Sequence, residues 1–365
     1  MSATKQDVIA PDRPHECENH LARLWEKSLG YPVGREDDYF QSGGDSLRGA
    51  QLISWIQEGF GIELSLLDLF ESRTIAEQTQ LVIARLSAPE PGAEKPSTEF
   101  RYFGPSNMRL FSALHRSASR RLSGVVLCYP MGQEYMRIHR TYVELARSLA
   151  TSGQYVLRFD YFGCGDSAGD TAAGSLARWR DDIRQATREL RRSTGVQDVY
   201  LVGARVGANL VLDVASAGED VAGLVLWEPI VNGIDYITTL RRSHRDLLTS
   251  NTRLQGYERH RLKNCFTELV GFPVSKELHD EVAAIDLLAL SKPKAVPDTL
   301  VLANTDKPAL KSYATARTNG RSRLDYIAVS ESDGIWLKED RQNKGVIPVH
   351  AVQTIVSWIS ERSHE

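Results

Sequence analysis

The sequence predicts a small all-α domain followed by a larger α/β domain, whose mostly parallel sheet is flanked by helices. Up to residue 86, apolar residues recur at the spacing of one helix face, and strand patterns are scarce. From residue 99 onward, short β-rich runs alternate with amphipathic helical stretches, as in parallel sheets. Residues 87–98 contain three prolines and almost no apolar side chain, so we expect a linker between domains 1–86 and 99–365.

A turn with two glycines, Gly43-Gly44-Asp45-Ser46-Leu47, leads into a helix that is predicted to continue to Phe60. Short polar side chains in such a turn cap the first helical turn, so either Asp45 or Ser46 can serve as the cap. A capping role alone would account for the motif. The alternative is that the serine hydroxyl stays exposed for a chemical role.

The surrounding stretches resemble peptidyl and acyl carrier domains over about residues 14–86. The resemblance rests on Asp38-Tyr39-Phe40, the glycine–serine turn, Phe60-Gly61-Ile62, residues 66–71 and residues 74–77. It implies a four-helix fold with 4'-phosphopantetheine attached covalently to Ser46, and it implies that Asp45 and Leu47 help to dock the modifying enzyme. The implied partners are a phosphopantetheinyl transferase, an adenylating or acyl-loading enzyme, and a downstream synthase or tailoring enzyme.

In the second domain, the order of elements resembles the α/β-hydrolase superfamily. A strand leads to Tyr129-Pro130-Met131-Gly132, and a later strand ends before the loop 162–169. The strand, turn and helix at Gly203-x-Arg205-x-Gly207 lie where those enzymes place a nucleophile. Here that position is Arg205, which is always protonated and has no lone pair for attack.

A literal G-x-S-x-G also occurs, at Gly165-Asp166-Ser167-Ala168-Gly169. The next helical pattern begins well after Gly169, so the strand–turn–helix context that exposes a nucleophile is missing. We therefore predict a structural loop there. Cys164 is another nucleophile candidate, but a packed thiol is favoured.

The remaining members of a hydrolase triad are only partly present. Asp306 follows a predicted strand where the acid belongs, although a surface turn would look the same. Residues 330–336, where a histidine is expected, contain none. His350 follows a proline and fits a helix start.

Two roles are open for Arg205 at this turn. Its guanidinium can bind a carboxylate or phosphate beside the backbone N–H groups of Met131 and Val206, the oxyanion-hole candidates. Alternatively, Arg205 forms a salt bridge with Asp306 or Asp333 that occupies an inactive catalytic site. Residues of about 231–296 are expected to form a lid insertion that builds a pocket.

Several motifs together resemble the type 2 hydrolase-like proteins associated with exosortase A. They are residues 163–170, Arg178-Trp179 with Asp182, the turn at Arg205, and Leu226-Trp227-Glu228-Pro229 with Asn232-Gly233. An arginine at the turn is part of that resemblance. Because a fold does not fix an activity, the resemblance implies a fold more than a function.

Composition narrows the class of protein. The net charge of −3 argues against a nucleic-acid partner, because such proteins carry a basic face. The four cysteines are widely spaced with no C-x-x-C pair, so we predict neither a disulfide framework nor a metal site. No apolar run reaches the length of a membrane span and no signal peptide opens the chain, so we expect a cytoplasmic protein.

Three functional hypotheses follow. The first is a carrier protein of nonribosomal peptide or polyketide biosynthesis, whose degenerate hydrolase domain binds the acyl or aminoacyl cargo or docks a partner. The second is an enzyme that uses the hydrolase fold without a covalent serine intermediate, as a cyclase, a lyase or an acyl-transfer enzyme. The third is an atypical thioesterase that uses Ser167 or Cys164.

Overall fold

The chain forms two compact units, residues 1–93 and 94–365. The structure is a computed structural model. It describes residues 14–62, 64–87, 97–117, 123–250, 268–289, 296–304, 307–317, 323–329 and 347–363.

The first unit is helical, as the sequence predicts. Its described helices are α1 (Pro14–Leu29), α2 (Ser46–Phe60), α3 (Leu66–Glu71) and α4 (Ile75–Ser87). The core is formed where the apolar faces of these helices meet, and Leu21, Leu52 and Ile56 are fully buried there. The buried indole N–H of Trp25 donates to Gln78 Oε1 at 2.9 Å, which satisfies a polar group that folding removes from water.

Described elements overlap both ends of the predicted linker, residues 87–98. Helix α4 includes Ser87, and the first strand of the second unit begins at Ser97. Ser97 and Thr98 pair with Arg116 and His115 of the next strand, so tertiary pairing extends a strand into a segment that composition marked as linker. Residues 88–96 lie outside the described residues.

The second unit contains an eight-stranded sheet and a two-stranded hairpin. The strands are β1 (Ser97–Phe103), β2 (Leu110–Arg116), β3 (Ser123–Cys128), β4 (Tyr155–Phe159), β5 (Asp198–Ala204), β6 (Gly223–Trp227), β7 (Glu268–Leu269), β8 (Phe272–Pro273), β9 (Asp298–Ala303) and β10 (Leu324–Ala328). The sheet order is β1-β2-β4-β3-β5-β6-β9-β10. Strand β2 is antiparallel to both of its neighbours, and the other pairings are parallel. This confirms the predicted mostly parallel sheet.

Helices connect the strands of the second unit. They are α5 (Gly132–Thr151), α6 (Leu176–Thr194), α7 (Val206–Ser216), α8 (Gly233–Ser250), α9 (Lys276–Ala283), α10 (Pro308–Arg317) and α11 (Val349–Arg362). His350 is exposed at the start of α11, so its predicted place at a helix start is confirmed.

This topology gathers residues from distant parts of the sequence. Strands β3, β5 and β6 are parallel neighbours, so their carboxyl ends meet at one edge of the sheet. The connections that follow these ends carry Met131, Arg205 and Glu228. Parallel sheets place their ligand sites at this edge.

No helix among the described residues is long and apolar enough to cross a membrane. Within the same described ranges, no group of three or more His, Cys, Asp or Glu side chains has the arrangement of a metal site.

Candidate functional sites

Asp45, rather than Ser46, caps helix α2. Its backbone is extended, and its Oδ1 accepts hydrogen bonds from the N–H groups of Leu47 at 2.9 Å and Arg48 at 2.8 Å. These bonds satisfy two of the donors that every helix start leaves unpaired. Ser46 is the first helical residue and has no capping duty. The structure therefore decides between the two caps that the sequence allowed.

The turn before Ser46 is held against the core of the first unit. A Cβ on Gly44 would lie 2.3 Å from the ring of Tyr39 and 2.6 Å from its carbonyl oxygen, so only glycine fits. Gly43 has φ +77°, a conformation that glycine adopts without strain. The Tyr39 hydroxyl in turn hydrogen-bonds Ser28 Oγ at 2.6 Å. The position of the serine is thus fixed by packing.

The hydroxyl of Ser46 has no structural partner among the described residues. The side chain of Ser46 is half-buried. The neighbouring Leu47 is 67% exposed. A free hydroxyl beside an exposed apolar side chain fits the covalent attachment of phosphopantetheine.

In the second unit, Arg205 stands at a sharp turn between β5 and α7. Its backbone has φ +54° and ψ −122°, which is strained for a residue with a side chain. A Cβ on Gly203 would lie 2.3 Å from the carbonyl oxygen of Gly207. A Cβ on Gly207 would lie 2.5 Å from two carbonyl oxygens at the end of β3. The two glycines therefore allow the close approach that this turn requires.

The guanidinium of Arg205 is enclosed by two buried glutamates. Its Nε donates to Glu134 Oε1 at 3.0 Å, and its Nη1 lies 3.8 Å from Glu228 Oε2. Nη1 also donates to the backbone carbonyl of Glu228 at 3.3 Å. Both glutamates are 1% exposed. Burial by itself would lower the pKa of Arg205, but Glu134, Tyr236 and Glu228 raise it overall, so the cation is firmly held.

Further polar contacts surround the two glutamates. The Tyr236 hydroxyl donates to Glu134 Oε2 at 2.8 Å, and burial followed by the Glu134 charge raises the pKa of that tyrosine. Glu228 Oε1 accepts from the backbone N–H of Asn304 at 2.8 Å, and its other oxygen pairs with Lys307 Nζ. The charges of this cluster are thus largely satisfied by protein groups.

Local sequence patterns do not identify these glutamates as partners of Arg205. The two partners predicted from the sequence, Asp306 and Asp333, lie outside the described residues. Glu228 was noted only as part of a motif, and the signal that Glu134 offered, an acidic residue in the first turn of α5, is common at helix starts.

The two oxyanion-hole candidates lie at the starts of neighbouring helices. Met131 directly precedes α5, and Val206 is the first residue of α7. These helices follow β3 and β5, which are paired through Cys128 and Gly203 at their carboxyl ends. The two positions therefore lie at the same edge of the sheet.

Neither alternative nucleophile has the environment that attack requires. Ser167 Oγ donates to the carbonyl of Asp160 at 2.6 Å and accepts from the N–H of Phe111 at 2.9 Å. These bonds give Ser167 the structural loop role that the sequence predicts. Burial, followed by the Asp160 and Asp182 charges, raises the pKa of Cys164 to about 12, so its thiolate is scarce near neutral pH.

The Arg178-Trp179 and Asp182 motif holds the loop 162–169 in place. Asp182 accepts from Arg178 Nε and from the backbone N–H of Phe162, both at 2.9 Å. The Trp179 indole N–H donates to the carbonyl of Phe162 at 3.1 Å. The motif is therefore structural in this chain.

An apolar cavity of about 250 Å³ opens beside this loop. One wall is the start of α5 with the segment before it, and another is the loop at Cys164. The third wall comes from the expected lid insertion: Leu240 on α8, the β7–β8 hairpin and Leu278 on α9. Residues of the segments 231–250 and 268–289 thus line this cavity.

Comparisons with known proteins agree with the class that the fold and the glycine–serine turn define. Residues 19–82 match the family model described as phosphopantetheine attachment site, and residues 119–261 match the model described as serine aminopeptidase, S33. The chain is therefore a phosphopantetheine carrier domain fused to an α/β-hydrolase-fold domain, and its cofactor is covalent 4'-phosphopantetheine.

Two curated relatives each match less than a quarter of this chain. Tyrocidine synthase 3 of Brevibacillus parabrevis is 44% identical over 84 residues, which are 23% of this chain and 1% of that protein. The nonribosomal peptide synthetase FrzA of Cladobotryum sp is 35% identical over 86 residues, which are 22% of this chain and 8% of that protein. This chain thus spans only a small part of these relatives.

Solved structures support the hydrolase fold of the second unit. The Pyrococcus furiosus esterase PF2001 aligns with a TM-score of 0.50 at 12% identity, over 73% of this chain and 90% of the esterase. Identity at this level shows the fold alone.

Proposed function

We propose that this chain is a carrier protein whose phosphopantetheine is attached to Ser46, and whose hydrolase-fold domain binds the tethered cargo or docks a partner without hydrolysing the thioester. The observation that carries the first half is that Asp45 caps α2 and leaves the Ser46 hydroxyl without a structural bond. The cofactor supplies a flexible thiol on which an acyl or aminoacyl group is held as a thioester.

The residues around Ser46 have distinct roles in this proposal. Asp45 fixes the start of α2, so the serine is presented on a rigid helix end. Leu47 offers an exposed apolar contact to the phosphopantetheinyl transferase. A tethered substrate then meets its partner enzymes at a high local concentration.

The second half of the proposal rests on Arg205. We infer that this arginine replaces the nucleophile of an α/β-hydrolase, because it stands at the strained turn between β5 and α7. A protonated guanidinium cannot attack a thioester, and Glu134 and Glu228 already pair with it. This arrangement favours a degenerate hydrolase, which the resemblance to exosortase-associated type 2 proteins also suggests.

The partners are proposed from the relatives. The relatives named above are a synthase and a nonribosomal peptide synthetase. We propose that this chain takes part in nonribosomal peptide or polyketide biosynthesis, receiving its cargo from an adenylating or acyl-loading enzyme and passing it to a downstream synthase or tailoring enzyme.

A loading experiment tests the attachment site. The purified chain is incubated with a broad-specificity phosphopantetheinyl transferase and coenzyme A, and its intact mass is followed. The expected result is the gain of one phosphopantetheine in the native chain and in Ser42→Ala, a control in the same turn, and no gain in Ser46→Ala. Modification of Ser46→Ala would overturn the assignment.

A second function is favoured by the retained cavity. A domain that only docked a partner has no need of an apolar pocket lined by Met131, one of the oxyanion-hole candidates. A cyclase, lyase or acyl-transfer enzyme needs such a pocket for its substrate. Loading Ser46 with an acyl group and measuring the mass over time separates these functions. An unchanged acyl group supports the carrier without chemistry, and a rearranged or transferred one supports the enzyme.

A further inference from the structure

We propose that the apolar cavity of the second unit binds an uncharged acyl group and discriminates against aminoacyl groups that carry a free ammonium. This inference rests on the proposed function in one respect, because the carrier arm is the source of the thioester. The sequence left open whether the cargo is an acyl or an aminoacyl group, and the chemistry of the cavity favours the acyl group.

The walls of the cavity are almost wholly apolar. Met131 and Met136 line it from the start of α5, and Leu240, Leu269, Phe272 and Leu278 line it from the lid insertion. Within the described residues, no Asp, Glu, Lys, Arg or His side chain contributes to the lining. The charged cluster around Arg205 is therefore separate from the cavity.

The polar side chains that reach the cavity are uncharged, and two of them, Tyr135 and Trp179, are already paired with other protein groups. The hydroxyl of Tyr135 donates to Asp160 Oδ1 at 2.7 Å, and the indole N–H of Trp179 donates to the carbonyl of Phe162. An ammonium in this cavity would lose its water without gaining a carboxylate, which is strongly unfavourable. A hydrocarbon or aromatic group loses nothing of this kind and gains buried area.

The size of the cavity fits a compact acyl group. Its volume of about 250 Å³ exceeds the roughly 150 Å³ of an apolar protein cavity that accommodates benzene. It is smaller than the roughly 300–1,000 Å³ of pockets that hold drug-sized ligands. An aromatic or branched acyl group of modest length matches this space.

The lid hairpin is fixed in a way that keeps the cavity formed. Its turn contains Val270 with φ +50° and Gly271 with φ +86°. The buried His244 accepts a hydrogen bond from the N–H of Val270 through Nδ1 at 3.1 Å, which supports this strained turn. Phe272 lies against Gly132 at the start of α5. The cavity wall is therefore held by specific contacts.

The test uses two ligands that differ only in the ammonium group. The full-length Ser46→Ala chain, which carries no arm of its own, is titrated by calorimetry with hydrolysis-stable amide analogues of 3-phenylpropanoyl-pantetheine and phenylalanyl-pantetheine. We expect the uncharged ligand to bind at least tenfold more tightly. Equal affinity, preference for the ammonium ligand, or no binding of either would overturn the proposal.

Substitutions at the mouth of the cavity locate the binding. Met136→Glu places a charge there at a residue that is 63% exposed, so we expect folding to be kept and the affinity for 3-phenylpropanoyl-pantetheine to fall at least tenfold. The matched control is Ile234→Glu, because Ile234 is 64% exposed and does not line the cavity. Equal affinities of the two variants would place the ligand elsewhere and overturn the proposal.

This experiment fails separately from the loading experiment. A chain that accepts phosphopantetheine on Ser46 but binds neither ligand overturns only the cavity assignment. A chain that binds the uncharged ligand but cannot be loaded overturns only the carrier assignment.

Discussion

Two residues at helix starts illustrate how differently the same place in a fold can be used. Asp45 caps α2 with its own side chain and so leaves the next residue free. Arg205 precedes α7 with a strained backbone and makes no side-chain cap bond, because its guanidinium is directed to Glu134. The first arrangement leaves a hydroxyl unbonded, whereas the second places a buried cation at the turn.

At this scale, we predict that Arg205→Met destabilises the second unit. It would leave the buried Glu134 without its cation, whereas Glu228 keeps Lys307, and breaking a buried pair costs about 3–5 kcal/mol. The free energy of unfolding, measured by urea titration, is expected to fall by that amount. Arg147→Met is the control, because Arg147 is 67% exposed and its ion pair is at 4.0 Å. A similar loss in both variants would contradict the prediction.

A second residue-scale prediction concerns His115 on β2. Burial, then the charges of Arg158 and Arg147, lower its pKa to about 3 from a usual 6.5. The unfolded chain therefore takes up a proton on His115 at a higher pH than the folded chain does. As the pH falls from 6.5 towards 3, this protonation lowers the free energy of unfolding, and above pH 6.5 it has no effect. The slope is about 1.4 kcal/mol per pH unit for one proton.

Replacement of this histidine should therefore flatten the pH dependence. We expect the free energy of unfolding of His115→Gln to fall less steeply than that of the native chain between pH 6 and pH 4.5, by urea titration at each pH. His350→Gln, a change on the exposed start of α11, should keep the native slope. An unaltered slope in His115→Gln would refute the assignment.

At the scale of elements, the side chain of Glu281 links the lid insertion to helix α6. Glu281 on α9 accepts from the N–H of Leu176 at 2.6 Å and the N–H of Ala177 at 3.3 Å, at the start of α6. A carboxylate at a helix start accepts hydrogen bonds from backbone N–H groups that have no partner within the helix. Its negative charge also interacts favourably with the positive end of the helix dipole. The lid is thus positioned by a helix cap that comes from another element.

We predict that Glu281→Ala lowers the stability of the second unit by about 1–2 kcal/mol, the usual cost of losing such a cap. The measurement is the urea midpoint together with hydrogen exchange in the first turn of α6, which should quicken. Glu277→Ala is an exposed change on the same helix α9, so a much smaller effect is expected there. Unchanged exchange at Leu176 and Ala177 would argue against the contact.

At the scale of the whole molecule, one unit is a phosphopantetheine carrier domain and the other is an α/β-hydrolase fold with Arg205, rather than a serine, at its sharp turn. The thioester on a loaded chain should therefore persist. We predict that Ser167→Ala and Cys164→Ala leave the lifetime of the thioester unchanged. The Ser167 hydroxyl is hydrogen-bonded to the carbonyl of Asp160, and burial raises the pKa of the Cys164 thiol.

The measurement is the intact mass of the acyl-loaded chain over several hours, beside each variant. Loss of acyl groups as free acid from the native chain, slowed by either substitution, would instead establish the atypical thioesterase.

The sequence by itself determined the two fold classes, the glycine–serine turn and the absence of a serine at the turn of β5. These depend on local patterns: helical spacing of apolar residues, alternation of strands with helices, and glycines that only a tight turn requires. The place of His350 at the start of α11 was predictable for the same reason, since a proline precedes it. The strand that begins at Ser97 was not, because its pairing partner is at residue 116.

Only the tertiary structure decided which groups surround Arg205 and whether the pocket is charged. Glu134 is 71 residues from Arg205 in the sequence and Glu228 is 23 residues away, and the order of β3, β5 and β6 brings all three together. The cavity likewise combines α5, the loop at Cys164 and the lid. Such contacts depend on non-local packing, which no local sequence pattern encodes.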